Sequence, residues 1–98
     1  MFKGKNYEIT QKNIFGHELV GLEVEVIEST DKNKKGMKGI VVDETKNVLT
    51  IEAGKQEKKV PKKEAVFEFA LGSEKARVDG EKICFRPEDR IKIFWRSF

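Results

Sequence analysis

The sequence predicts an all-β domain, a small antiparallel barrel of about six strands with a short N-terminal helix. Apolar and polar residues alternate in short runs, and these runs recur roughly every eight to twelve residues, as in small sandwiches and barrels. Polar segments rich in turn-forming residues separate them. A chain of 98 residues has room for one small domain. Closing its sheet into a barrel covers the strand edges that an open sheet leaves exposed.

Four strands are predicted between residues 22 and 60. Leu22, Val24 and Val26 alternate with polar residues, the period of two that is typical of a half-buried strand. The segment from Ser29 to Gly36 has no apolar residue, which indicates an exposed loop. Further strands are expected over residues 37–44, 48–52 and 57–60, with polar breaks between them.

The second half contains shorter runs, with strands expected over residues 65–71, 76–79, 82–85 and 90–94. Phe67, Phe69 and Phe85 fall on the inward parity of these runs and are predicted to lie in the core. The segment around Pro87 is predicted to be a turn, because proline fixes φ and disfavours helix in the residue before it.

One helix is predicted, near residues 11–19, within a single barrel domain over residues 13–94. Thr10 is a candidate N-cap, Gly21 ends the segment, and the apolar residues Ile14, Phe15 and Leu19 fall at helical spacing. A helix this short must pack on another surface. Residues 1–12 are expected to form a flexible tail and residues 95–98 a C-terminal tail.

Composition excludes several kinds of chemistry. Cys84 is the single cysteine and His17 the single histidine, so the chain has no internal disulfide and lacks the usual ligands of a structural zinc site. No apolar run approaches the roughly 20 residues that cross a bilayer, and the N-terminus lacks the apolar core of a signal peptide. We expect a cytoplasmic protein that makes no membrane contact.

Three pairs of neighbouring acids are candidates for a catalytic metal site. A two-metal site needs carboxylates that converge from separate elements. Each pair instead lies on one strand or beside one turn: Glu23 with Glu25, Asp43 with Glu44, and Glu88 with Asp89. The sequence therefore predicts no catalytic residue and no metal site in this chain.

Basic residues are concentrated locally, although the formal net charge is only +3. Lysines gather in residues 31–38 and 55–63, and arginines gather near the C-terminus. Loops of neighbouring hairpins meet at the ends of a barrel, so these segments are candidates for one surface that binds a phosphate backbone. The alternative is that the lysine-rich loops only maintain solubility.

Several short motifs, in order and spacing, resemble those of the archaeal ribonuclease P protein component 1 family, which is related to a eukaryotic subunit of the same ribonucleoprotein. They are Asn13-Ile14, His17 to Leu22, Gly36 to Gly39, Val41 to Thr45 with Asn47, and Arg86 to Lys92. Together they span residues 13–92. No single motif is specific, but their ordered occurrence is.

The resemblance implies an Sm-like, SH3-type barrel and a role in removing the 5′ leader of precursor tRNA. In that family the RNA subunit performs the hydrolysis with bound Mg²⁺, so this chain would need no cofactor of its own. The implied partners are the ribonuclease P RNA, a small zinc-binding protein subunit and the other ribonuclease P proteins. Precursor tRNA is the implied substrate of the holoenzyme.

The same resemblance implies which residues bind these partners. The expected RNA contacts are Lys38, Lys46, Arg86, Arg90 and Lys92, followed by Lys34, Lys35, Lys62 and Lys63. Residues 13–22 are a candidate partner interface through Ile14, Phe15, His17, Leu19 and Val20, unless they only cap the barrel. Two alternative functions stay open: an SH3-like protein-interaction module without RNA affinity, and a metal-dependent nuclease.

Overall fold

A computed structural model describes residues 13–96 and contains one six-stranded sheet. All neighbouring strands are antiparallel, in the order β4-β3-β2-β1-β5-β6. The all-β prediction of about six strands is confirmed. In chain order, the strands are β1 (Glu23–Ser29), β2 (Lys38–Glu44), β3 (Val48–Ala53), β4 (Gln56–Pro61), β5 (Ala65–Leu71) and β6 (Glu74–Asp79).

The sheet bends around one core. Its two edge strands, β4 and β6, do not pair with each other. Register irregularities in β1, between Val26 and Glu28, and in β2, between Val41 and Asp43, are the kind of bulge that bends a strand. Each edge strand runs into a short 3₁₀ helix, Lys62–Glu64 after β4 and Gly80–Ile83 after β6, and these two turns contact each other. The barrel is thus open along β4 and β6 but joined through these turns.

Glycine is required where the two turns meet. A Cβ atom on Gly80 would overlap the backbone carbonyl oxygens of Lys62 and Ala65. The close approach of the two chain segments therefore depends on the absence of a side chain at this position.

Inward-facing side chains of the strands form the core. Val26, Val41, Ile51, Phe67 and Phe69 are fully buried, and the two phenylalanine rings lie with centroids 6.2 Å apart. The alternation of buried and exposed residues along β5 is the pattern that the sequence predicts for a strand with one face in the core.

A C-terminal helix, α1 (Pro87–Arg96), replaces the strand that was expected over residues 90–94. Pro87 is the first helical residue, where its missing N–H costs nothing, and Glu88 and Asp89 complement the positive end of the helix dipole. The expected turn is therefore the start of a helix. The alternation of Ile91 and Ile93 with polar Lys92 predicts a strand, but an alternating run this short is also compatible with a helix.

Within the described part of the predicted N-terminal helix, residues 13–19, the helical structure is one 3₁₀ turn, Ile14–Gly16. This turn packs on α1, where the Trp95 indole Nε1 donates a hydrogen bond to the carbonyl of Gly16 at 2.9 Å. Trp95, expected in a C-terminal tail, belongs to the helix. The predictions for residues 1–12, and for Phe98 in the C-terminal tail, lie outside the described residues.

Residues 82–85 also differ from the prediction, because they do not form a strand. The Asp79 side chain accepts a hydrogen bond from the N–H of Glu81 and starts the 3₁₀ helix that ends at Ile83. Phe85 follows this helix and is 41% exposed, so its expected place in the core is wrong. Ile83 takes the core position instead.

Candidate nucleic-acid interface

Three charged side chains, Glu44, Lys62 and Arg90, form an ion cluster inside the barrel. One carboxylate oxygen of Glu44 lies 2.9 Å from Lys62 Nζ, and the other lies 2.9 Å from an Arg90 guanidinium nitrogen. Lys62 is 0% exposed and Arg90 is 3% exposed. One carboxylate thus bridges two buried cations that come from distant parts of the chain.

Lys62 connects three loops through its remaining hydrogen bonds. Its Nζ donates to the carbonyls of Ile83 at 2.8 Å and Phe85 at 3.2 Å. Its backbone N–H donates to the carbonyl of Asn47, in the loop between β2 and β3, at 2.8 Å. Lys62 therefore fixes the positions of the β2–β3 loop and the segment before α1 relative to the end of β4.

Arg90 connects the helix to the N-terminal segment. A guanidinium nitrogen donates to the carbonyls of Phe15 at 2.9 Å and His17 at 2.6 Å. Arg90 is a buried residue of α1, and these hydrogen bonds fix the position of its guanidinium group. The ion cluster is thereby the point at which β2, the end of β4, α1 and the N-terminal segment meet.

Burial shapes the electrostatics of this cluster. Loss of hydration lowers the pKa of Lys62, and the hydrogen bond and charge of Glu44 oppose that shift. Burial and the nearby Arg90 charge lower the pKa of His17 below 6.5. Two cations and one carboxylate leave one excess positive charge, so neither cation is stable in the interior without Glu44.

Exposed cations surround the ion cluster. Each one is adjacent in sequence to a residue that hydrogen-bonds to Lys62, or to Lys62 itself. All four are exposed, and we call them the cationic rim: Lys46, Lys63, Lys82 and Arg86. The geometry that buries Lys62 therefore also brings together, at one end of the barrel, the backbone positions that carry these four cations.

The rim cations differ in whether a carboxylate of the protein pairs with them. Within residues 13–96, no ion pair joins Lys46, Lys63 or Lys82 to a carboxylate. Arg86 differs, because its Nε donates to Asp89 at 2.9 Å, and this carboxylate raises the pKa of Arg86. Exposed ion pairs of this kind contribute little to stability.

The structure divides the predicted RNA contacts into four groups. Lys46, Lys63 and Arg86 belong to the rim, and Lys92 is exposed on α1. Lys34, Lys35 and Lys38 lie elsewhere and pair with Asp31, Glu28 and Glu25 respectively.

Lys62 and Arg90 form the fourth group, and their expected exposure at the surface is wrong. Their burial in the ion cluster contradicts the prediction that they contact phosphate, because neither charged group reaches the surface. Arginine and lysine are almost never fully buried unless they are paired, so sequence alone favoured the surface.

The predicted partner interface is mostly internal. Ile14 and Leu19 are 1% exposed and belong to the core, which contradicts their assignment as surface contacts. Phe15 and His17 are half-buried, and Val20 is 46% exposed. The described part of this segment therefore caps one end of the barrel against α1.

Sequence reasoning placed Phe85 in the core and did not single out Lys82, although both residues are exposed at this end. Both were assigned to a strand that does not exist. The signal that was available is Asp79 followed by Gly80, a cap residue and a residue permitting close approach, which together favour a turn over a continuing strand.

Three further features of the structure bear on other kinds of function. Among residues 13–96, no group of three or more His, Cys, Asp or Glu residues is placed to hold a metal ion. The same part of the chain contains no helix with the length and apolarity to cross a membrane. A groove on the outer face of the sheet is lined by side chains of both charge signs, including Glu23, Glu25, Lys38 and Glu68.

The fold and the rim define a small antiparallel β-barrel protein with a cationic end suited to a phosphate backbone. Residues 12–93 match the family model of ribonuclease P/MRP subunit p29. The chain belongs to this family, and the resemblance seen in its motifs is confirmed.

Individual relatives agree with this assignment. The chain is 51% identical over 85 residues to a ribonuclease P protein component 1 from Methanosphaera stadtmanae, covering 86% of this chain and 91% of the relative. It is 42% identical over 99 residues to the protein of that name from Pyrococcus furiosus, covering 99% and 78%. A solved structure of Mth11, described as a homologue of human RNase P protein Rpp29, has a TM-score of 0.57 and 44% identity, covering 76% of this chain and 99% of that chain.

Proposed function

We propose that this chain is an RNA-binding protein subunit of ribonuclease P, the endoribonuclease that removes the 5′ leader of precursor tRNA. Family membership and relatives named as ribonuclease P protein components support the subunit role. The observation that carries RNA binding is the cationic rim, held in place by the buried Lys62. No observation in the described residues favours an SH3-like peptide-binding module.

The rim binds the phosphate backbone of the ribonuclease P RNA. Each lysine that neutralises a phosphate releases condensed counterions, which makes binding favourable and dependent on salt. Because Lys62 fixes the loops that carry the rim, less conformational entropy is lost when the RNA binds. The protein contributes a preformed cationic surface that helps the RNA adopt and keep its active shape.

In this proposal the chain does no catalysis. The RNA subunit hydrolyses the substrate with its own Mg²⁺, and the holoenzyme includes a small zinc-binding protein subunit and further proteins. The accessible part of the N-terminal segment, including Val20, is the proposed contact with a protein partner. A cytoplasmic location stays a prediction.

The RNA-binding surface is tested with two charge-matched variants. Replacing Lys46, Lys63 and Lys82 with Gln removes three rim charges without touching the ion cluster. The control replaces Lys55, Lys58 and Lys75, which are also exposed but lie on β6 and the β3–β4 hairpin. Lys55, at the hairpin tip, is about 20 Å along the strand from Lys62.

The rim variant should bind the ribonuclease P RNA more weakly. The magnitude of its slope of log K against log salt should decrease by about 2 to 3, since each lost phosphate contact removes about 0.7 to 0.9. The control variant should keep a slope close to that of the original chain. Precursor-tRNA cleavage by the reconstituted enzyme at low Mg²⁺ should follow the same order. Equal losses in both variants would show that the rim is not the binding surface.

A further inference from the structure

Phe85 is an exposed aromatic ring on a rigid stretch of backbone. It lies between the Gly80–Ile83 turn and α1, and 41% of its surface is exposed. Its N–H donates to the carbonyl of Ile83 at 2.8 Å, and its own carbonyl accepts from Lys62 Nζ at 3.2 Å. Hydrogen bonds on both sides of the residue therefore hold the backbone that presents this ring.

The backbone positions that carry the cationic rim are tied to this one. Arg86 is the next residue, and Lys82 lies in the preceding 3₁₀ helix. Lys62 donates hydrogen bonds to the carbonyls of Phe85 and Asn47, so the segments that carry Lys46 and Lys63 are joined to the backbone of Phe85. The other large apolar side chains that are well exposed within residues 13–96 lie on other elements: Val20, Ile40 and Ile93. Phe85 is thus the one well-exposed large apolar side chain within residues 80–86, where Lys82 and Arg86 are exposed cations.

A ring among cations fits a nucleic acid better than it fits a protein. The core of a protein–protein interface is depleted in lysine, whereas three of the four rim cations are lysines. Single-stranded nucleic acid is bound by cations that follow the phosphates and by aromatic rings on which bases stack. In duplex RNA the bases are already stacked on each other and are inaccessible to such a ring.

We propose that Phe85 is a stacking platform for an unpaired base of an RNA whose phosphates are held by the cationic rim. This inference rests on the proposed RNA-binding function and adds the class of RNA segment that the surface binds. The rim contributes affinity for any RNA. Phe85 contributes a preference for single-stranded segments over helices.

The test compares two RNA probes, a short oligouridylate and a perfectly paired duplex with the same number of phosphates. Phe85→Ala should weaken binding of oligouridylate by roughly 5- to 150-fold, the range found for the loss of one base–aromatic contact. Binding of the duplex should be unchanged. The salt slope for oligouridylate should also be unchanged, because no phosphate contact is lost.

Two further substitutions separate stacking from simple apolar contact. Phe85→Tyr keeps the aromatic face and should bind oligouridylate as the original chain does. Phe85→Leu keeps an apolar side chain without a π face and should bind nearly as weakly as Phe85→Ala. Phe85→Trp gives a direct signal, because stacking of a base should quench its fluorescence relative to the original chain, which has only the half-buried Trp95.

The outcomes distinguish this inference from the proposed function. If Phe85→Ala binds oligouridylate normally while the triple rim variant loses affinity, RNA binding stands and the stacking role is overturned. If the original chain binds neither probe nor the ribonuclease P RNA, the proposed function itself fails. Equal weakening for duplex and oligouridylate would also overturn the stacking role, since it would indicate a general loss of structure.

Discussion

The ion cluster and the cationic rim contain the same kinds of residue in opposite surroundings. Lys62 and Lys63 are neighbours in the chain, yet the first is fully buried and the second is exposed. Arg90 and Arg86 are one helical turn apart, yet Arg90 bonds to Glu44 inside the barrel and Arg86 pairs with Asp89 at the surface. Residue type alone therefore does not define the function of a cation in this protein.

The difference follows from what surrounds each charge. A buried cation has lost its hydration and depends on Glu44 and on backbone carbonyls, so removing a partner destabilises the fold. A rim cation keeps its hydration and contributes little to stability, but it is free to exchange water and counterions for phosphate. Substitutions in the two regions should consequently separate stability from RNA affinity.

Glu44→Gln should give the largest effect on stability, because it leaves Lys62 and Arg90 buried with no carboxylate between them. Breaking a buried ion pair in this way costs about 3–5 kcal/mol. Urea denaturation followed by circular dichroism measures the loss. Asp43→Asn, on the adjacent and exposed residue of β2, is the control and should change the free energy of unfolding by less than about 0.5 kcal/mol.

A fall in stability that was no larger for Glu44→Gln than for Asp43→Asn would show that the cluster does not hold the fold together. Because Glu44→Gln also loosens the loops that carry the rim, RNA binding should be compared only at temperatures where the variant remains folded.

Lys62→Met and Lys63→Met make the most direct comparison between the two regions. Lys62→Met leaves the carbonyls of Ile83 and Phe85 without their buried donor, which costs about 1–3 kcal/mol for an unsatisfied buried group. It should also weaken RNA binding, since the loops next to Lys82 and Arg86 lose their anchor. Lys63→Met should weaken RNA binding while the urea midpoint stays the same.

Both measurements belong on the same two proteins, with fluorescence anisotropy for RNA affinity and urea titration for stability. If Lys63→Met lost as much stability as Lys62→Met, the distinction between cluster and rim would be wrong. If Lys62→Met kept full RNA affinity, the rim would not need its buried support.

The strands of the barrel were predictable from sequence because alternation records which face of a strand is buried. The start of α1 was not, since Pro87 is compatible with both a turn and a first helical residue, and tertiary packing of Arg90 and Trp95 selects the helix. The register of the sheet also brings Glu44 to Lys62, a pairing between positions 18 apart that no local pattern indicates.

The exposed residues of the site could be predicted from the sequence better than its buried residues. Lys46, Lys63 and Arg86 were placed correctly in exposed loops, because turn-forming neighbours indicate exposure. Lys62 and Arg90 look the same in sequence as these residues. Only the three-dimensional position of a single carboxylate separates them, and that depends on contacts between distant segments.

The smallest expected effect concerns pH and the edge of the ion cluster. Burial and the Arg90 charge lower the pKa of His17 below its usual 6.5. The unfolded chain therefore takes up a proton as the pH falls through 6.5, and the folded chain resists doing so. The free energy of unfolding should thus be highest above that pH and decline modestly from about pH 7 to about pH 5.

His17→Gln should remove this part of the decline while keeping the backbone carbonyl that accepts the hydrogen bond from Arg90. Urea midpoints of both proteins across this pH range measure the difference, and the carboxylates that titrate at lower pH affect both proteins equally. Parallel curves would contradict the coupling between His17 and the cluster. The two proteins should differ in the pH dependence of stability. They should not differ in the pH dependence of RNA affinity, because His17 lies beside the ion cluster and is not part of the rim.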